Sequence, residues 1–174
     1  MRISKAEPRK APARAREMVI LFVVGGVTFA IAANAVDEIR ELADIQVLPS
    51  PIPHQKLAKV RHTLWRQGRR YFVVDGGAHF QMPSTQPTRL MVMRHSPAAV
   101  IVDGIDRMQE IQSIQALPEA FSGEELRWYR GLTLIKGRVI PVVHAEAFLT
   151  KAEATFLNAS MRADEIAERM AVTA

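Results

Sequence analysis

Five histidines and eighteen acidic side chains are the residues here whose types suit metal, proton or nucleophile chemistry. His54, His62, His79, His95 and His144 lie far apart, without the H-x-H or H-E-x-x-H spacing that would aim two imidazoles at one metal ion. Asp75 and Asp103 could be imagined as a carboxylate pair, yet no motif brings a base and a nucleophile together beside them. No G-x-S-x-G elbow or glycine-rich phosphate loop occurs, and Gly25-Gly26 and Gly76-Gly77 read as turns. The chain has no cysteine, which excludes a thiolate nucleophile, a thiolate metal site and a disulfide framework. The sequence therefore predicts no catalytic residue, no metal, no cofactor and no small-molecule substrate. What remains is chemistry done by a surface.

The elements that would shape that surface come from pattern and charge. The 174 residues are 48% apolar and 24% charged, the composition of one globular domain or of two very small ones sharing a core. The net charge of +5 is concentrated at the start: residues 1–17 hold six bases and two acids and read as a disordered basic tail. The body is close to neutral and offers little of the field that phosphate binding needs. Nucleic acid is not an expected partner. The alternative function, a small β-barrel nucleic-acid binder, rests on the tail alone.

Met18–Val36 carries no charge, which fits either a leader or span, or a hairpin of Val19–Val24 and Val27–Ile31 turned by Gly25-Gly26. A repeat favours the hairpin. Shifting the sequence by 69 residues lays residues 31–80 on 100–149 without a gap, with thirteen identities in fifty positions. Among them are Asp37/Asp106, Glu41/Glu110, Leu48-Pro49/Leu117-Pro118, Arg61/Arg130, Gly68-Arg69/Gly137-Arg138 and Val73-Val74/Val142-Val143. The register sets Ala30–Ala33 against the mid-chain Ala99–Val102, so Met18–Val36 is expected to be a core strand pair. Strand segments recur every eight to twelve residues with turn chemistry between them, as in small barrels or sandwiches. The halves are expected at about 18–84 and 88–150. Residues 151–174, free of Gly and Pro, are expected to be helical.

These residues together resemble the CheW-like domain of bacterial chemosensory signalling over about 18–150. Phe22…Phe29-Ala30-Ile31 followed by Val36-Asp37-Glu38-Ile39-Arg40-Glu41 is similar to that family's first strands. Trp65-Arg66-Gln67-Gly68 and Phe72-Val73-Val74-Asp75 occupy the place of its Asn-Leu-Arg-Gly and Pro-Val-Val-Asp segments. Val102-Asp103-Gly104-Ile105, and Tyr129-Arg130-Gly131 with Gly137–Val143, resemble its second half.

The resemblance implies a mainly β fold of two small, pseudo-repeated, SH3-like five-stranded barrels around a shared core, with the C-terminal helix added. It implies a cytoplasmic, non-enzymatic adaptor between chemoreceptor tips and the regulatory domain of a CheA-type histidine kinase. The interface it implies falls on Val36, Glu38, Arg40, His62, Trp65, Gln67, Gly68 and Gly104. Gly68 and Gly104 are expected at positive-φ turns. Four positions depart from the family: Gln67 replaces an arginine, His62 a glycine, Phe72 a proline and His144 an acid. The missing arginine would have paired with Glu38. Strand alternation sets Arg66 on the face opposite Gln67, which argues against Arg66 as its substitute.

Overall fold

The computed structural model describes residues 16–44, 50–51, 57–83 and 86–173. The basic tail up to residue 15 and the Ile45-Gln46 and Leu48-Pro49 members of the repeat lie outside them.

Eleven strands, three α-helices and three single-turn 3-10 helices follow among the described residues. The strands are β1 (Glu17–Val24), β2 (Val27–Ala32), β3 (Val36–Glu41), β4 (Ser50–Pro51), β5 (Val60–Arg66), β6 (Arg69–Asp75), β7 (Arg89–Met93), β8 (Ala98–Val102), β9 (Gly104–Ile111), β10 (Tyr129–Ile135) and β11 (Arg138–Val143). The helices are α1 (Gly76–His79), α2 (Glu125–Trp128) and α3 (Lys151–Thr173).

Three hairpins have two-residue turns with both central residues at positive φ, the geometry that matches strand twist. They are Gly25-Gly26 (57° and 78°), Gln67-Gly68 (48° and 73°) and Lys136-Gly137 (49° and 77°). The last two are equivalent under the 69-residue shift. So are β5 and β10, β6 and β11, β3 and β9, and β1 and β7.

The strands form two sheets, ordered β10-β11-β2-β1-β9 and β3-β7-β8-β6-β5-β4. Each sheet joins the opening hairpin of one repeat to strands of the other, three in the first sheet and four in the second. The joints are equivalent: β11 runs parallel to β2 at Val142 and Ala30, and β6 runs parallel to β8 from Phe72 and Ala98 to Asp75 and Ile101. The ladders are open sheets, where closed five-stranded barrels were expected. Their ends still approach one another, through the Gln115–Leu132 bridge in the first sheet and the Arg66–Glu38 ion pair in the second, and both faces of each sheet carry apolar residues.

Three buried clusters follow from that arrangement. Phe22, Phe29, Phe72, Met91, Met93 and Val100 contribute to the cluster shared by the two sheets. Val19, Leu21, Ala30, Ile135, Ile140 and Val142 fill the inner side of the first sheet. Leu64, Tyr71, Val73, Leu90, Val92 and Ala99 fill that of the second. Strand alternation supplies both sides: Val19 and Leu21 face one cluster, Ile20 and Phe22 the other.

The helix α3 begins with a capping box. The Thr150 hydroxyl accepts from the Glu153 N–H (3.2 Å), and the Glu153 carboxylate accepts from the Thr150 N–H (2.8 Å). Lys59 fixes that carboxylate to the body at 2.9 Å. Leu157 is fully buried in the shared core, with Ala154 and Met161 packed beside it.

Candidate functional site

The side chains that could act as an interface gather at two kinds of place, a polar rim and apolar strand ends. The rim belongs to the second sheet. Glu38 and Arg40 alternate with exposed Asp37 and Ile39 on β3, and register places them beside Val92 and Leu90, on the inner side. His62, Leu64 and Arg66 share that side of β5, since His62 pairs with Val73 and Leu64 with Tyr71. Arg66 makes an ion pair with Glu38 across the opening between the sheet's two ends, and Arg40 stands 3.7 Å from the same carboxylate. Both partners of the ion pair are half-buried.

This reverses the expectation for Arg66. Alternation holds only while the strand continues, and Gln67 has already left it for the left-handed turn at φ 48°. Arg66 is the last residue of β5 and supplies the cation that Gln67 lacks.

The expected site residues divide as follows. Glu38, Arg40, His62 and Arg66 share the inner side, with Gln67 and Gly68 at the tip of the adjoining hairpin. Val36 is 6% exposed and belongs to the shared core. Gly68 does occupy a positive-φ turn, but Gly104 does not; it begins β9 in extended pairing with Val23. Trp65 points to the other face of β5, 61% exposed, and the Arg70 guanidinium lies over its ring at 5.0 Å from the centroid. Trp128, by contrast, is partly buried against His79 (5.3 Å) and Phe80 (5.9 Å).

The apolar strand ends were not among the expected site residues. Leu134 and Val139 are cross-strand partners on β10 and β11, each 64% exposed, with Met108 of β9 also open at 61%. The repeat held the signal for them: a shift of 69 carries Trp65 to Leu134, Arg70 to Val139 and Ile39 to Met108.

The carboxylates considered for catalysis serve the backbone. Asp75 accepts from the Ala78 N–H at 3.1 Å, capping α1. Asp103 accepts from the Gly25 N–H at 2.7 Å, steadying the first hairpin. His79 is buried among Phe80, Trp128 and Phe148, with ring centroids 4.8–5.3 Å away. Burial, reinforced by the nearby Lys59 charge and partly opposed by Glu153, lowers its pKa to about 3, so the imidazole is neutral at ordinary pH. A cleft of about 510 Å³ opens beside it where α1, α2 and the start of α3 meet. Among the described residues no group of three or more His, Asp or Glu gathers as a metal site. None of the described helices is long and apolar enough to cross a membrane.

The CheW-like domain family model matches residues 18–153. The chain belongs to the CheW-like domain family. The crystal structure of the scaffolding protein TtCheW from Thermoanaerobacter tengcongensis is similar, with a TM-score of 0.66 at 15% sequence identity. The match covers 79% of this chain and 95% of that one, and at this identity it bears on the fold. No curated protein matches. CheW-family proteins are adaptors and scaffolds of chemotaxis signal transduction rather than enzymes, so membership makes this CheW-like chain a coupling adaptor in general terms.

Proposed function

We propose that this CheW-like protein works in the cytoplasm and couples the cytoplasmic tip of chemoreceptors to the regulatory domain of a CheA-type histidine kinase. The observation that carries the reading is the pair of unlike candidate docking areas, one on each sheet. The Glu38–Arg66 rim, with Arg40, His62 and the Gln67-Gly68 hairpin, offers charge and hydrogen bonding. The Leu134–Val139 end offers exposed apolar surface of the kind that anchors protein interfaces. An adaptor needs two such areas far enough apart for both partners to bind at once. The rim is assigned to the receptor and the apolar end to the kinase. Trp65, on the other side of β5, is a further contact.

Pull-downs of the purified full chain against a receptor cytoplasmic fragment and against the kinase regulatory domain test this. The native protein should capture both. Glu38→Lys should lose the receptor fragment and keep the kinase, with a melting temperature several degrees lower but the chain still folded at the assay temperature, while Leu134→Asp should do the reverse with a melting temperature close to native. Loss of both partners by either variant, or capture of neither by the native chain, would overturn the reading.

A further inference from the structure

We propose that the cleft where α1, α2 and the start of α3 meet receives a tyrosine or tryptophan side chain of a partner protein, with His79 accepting the hydrogen of its phenol or indole. The cleft opens over about 510 Å³, within the range of pockets that hold small organic groups. It straddles the axis that relates the two halves. A shift of 69 carries Lys59 to Trp128 and Ala78 to Ala147, and all four line it. Behind it lies a cluster of rings. Phe29, Phe80 and Tyr129 stack nearly parallel, with interplanar angles of 6°, 9° and 3°, and Phe148 packs on His79 at 4.9 Å. His79 and Trp128 are the members of this cluster that reach the cleft, so a ring entering there continues the stack.

The floor of the cleft selects a neutral hydrogen-bond donor. Phe148, the counterpart of His79, is wholly enclosed by the core. His79 is 5% exposed and forms no hydrogen bond among the described residues. Its nitrogens are not among the polar atoms sealed off without a partner, so they open on the cleft that the ring lines. Burial, with the Lys59 charge outweighing that of Glu153, keeps the imidazole neutral and leaves one nitrogen a bare acceptor. An acceptor buried without a donor is costly, and an O–H or N–H on a ring seated against Trp128 supplies one. Ionic groups fit less well. Lys59 and Glu153 hold each other at 2.9 Å, and Glu153 also accepts from the Thr150 N–H, so neither charge is left to a ligand. The other charged residues of the lining carry both signs, Arg127 against Glu124 and Glu146, and favour neither. An aliphatic side chain would set carbon against the imidazole nitrogen, and a carboxamide lacks the apolar body that Ala78, Ala147 and Trp128 would cover. The cleft shares no residue with the rim or the Leu134–Val139 end, so its failure would leave the coupling role standing.

Titration of the full chain, followed by NMR of its two tryptophan indole N–H signals, tests this with p-cresol, toluene and N-acetyl-tyrosinamide as probes. The Trp128 signal should move and the Trp65 signal should stay. p-Cresol should bind about tenfold more tightly than toluene, which has the ring without the hydroxyl. N-acetyl-tyrosinamide should bind at least as tightly as p-cresol. His79→Phe, which puts the ring of Phe148 at the equivalent place, should erase the preference and leave the affinity for toluene unchanged. Ala58→Phe, at an exposed position of the lining, should weaken all three probes. Equal binding of p-cresol and toluene by the native chain, or no movement of the Trp128 signal with any probe, would overturn the proposal. So would a preference that survives His79→Phe, or probes that bind Ala58→Phe as they bind the native chain. Capture of p-cresol with exclusion of N-acetyl-tyrosinamide would overturn it in favour of a free phenol.

Discussion

The two sheets derive from one repeated pattern, yet they bring their ends together by different means. In the first, Gln115 and Leu132 exchange two backbone hydrogen bonds of 2.7 and 2.9 Å, and Arg130 grips Glu17 through two contacts of 2.6 and 3.1 Å. In the second, Thr63, the counterpart of Leu132, pairs with Ser50, four positions beyond the counterpart of Gln115. The reason stands one residue earlier. A Cβ on Gly131 would come within 2.1 Å of the Gln115 carbonyl oxygen, so that close approach is open only to glycine. The counterpart of Gly131 is His62, whose side chain forbids the same approach. The second sheet is held across its opening by Glu38 and Arg66, where the first has Arg107 and the buried Ile135. A single side chain thus turns a backbone seam into a polar rim. The asymmetry teaches why, among the described residues, the Glu38–Arg66 pair has no equivalent in the first sheet.

The largest expected break in this comparison is Gly131→Ala. It should cost about 3 kcal/mol or more, since a backbone oxygen must move, whereas His62→Gly should change stability by less than about 1 kcal/mol. Urea denaturation of the two variants checks the difference. Next is acid. His79 is the counterpart of Phe148, and its pKa of about 3 lies below that of the unfolded chain, so the unfolded chain binds the extra proton. Its contribution is intact above about pH 6.5 and is lost as pH falls toward 3, at about 1.4 kcal/mol per pH unit. His79→Phe, which makes the halves alike, should flatten that part of the stability profile measured from pH 7 to 4.

A smaller effect is expected from Arg66→Leu, which leaves Glu38 with only Arg40. It should cost about 1–2 kcal/mol in thermal unfolding, and Glu38→Met in the same chain should recover most of the loss. The counterpart change Ile135→Val, which merely trims the first sheet's core, should cost about 1 kcal/mol and gain nothing from a change at Arg107. Smallest are the equivalent turn changes Gln67→Gly and Lys136→Gly. Each relieves a left-handed residue and should raise stability by a few tenths of a kcal/mol to about 1, to the same extent in both halves.

Much of the fold was legible because the repeat is strict in backbone terms. The turn residues, the Val-Val strands and the glycine pair at 68 and 137 carry their geometry locally. The site was less legible. Val36 and Glu38 are two residues apart, yet a bulge in the β3–β7 pairing separates them into core and rim, and no local pattern marks it. Arg66 was placed on the wrong face because the strand ended one residue sooner than alternation assumed. Gly104 carries no positive φ because the turn before β9 is made without it. Leu134 and Val139 look like core strand residues in sequence; only the missing cover beyond their hairpin exposes them.

The exchange of hairpins between the repeats also sets an order of events during synthesis. The second sheet can be completed once the chain has emerged through β8, because β3, β5 and β6 precede the β7–β8 hairpin that joins them. The β1–β2 hairpin is made first but finds its neighbours last, since β9, β10 and β11 leave the ribosome after everything else in the two sheets. For most of that interval Val19, Leu21, Phe22, Phe29 and Ile31 form a greasy ribbon with two unpaired edges. The nascent chain is therefore most vulnerable at its oldest segment. Chaperone dependence and inclusion-body formation in this protein should track the rate at which the stretch from Gly104 to Val143 is translated.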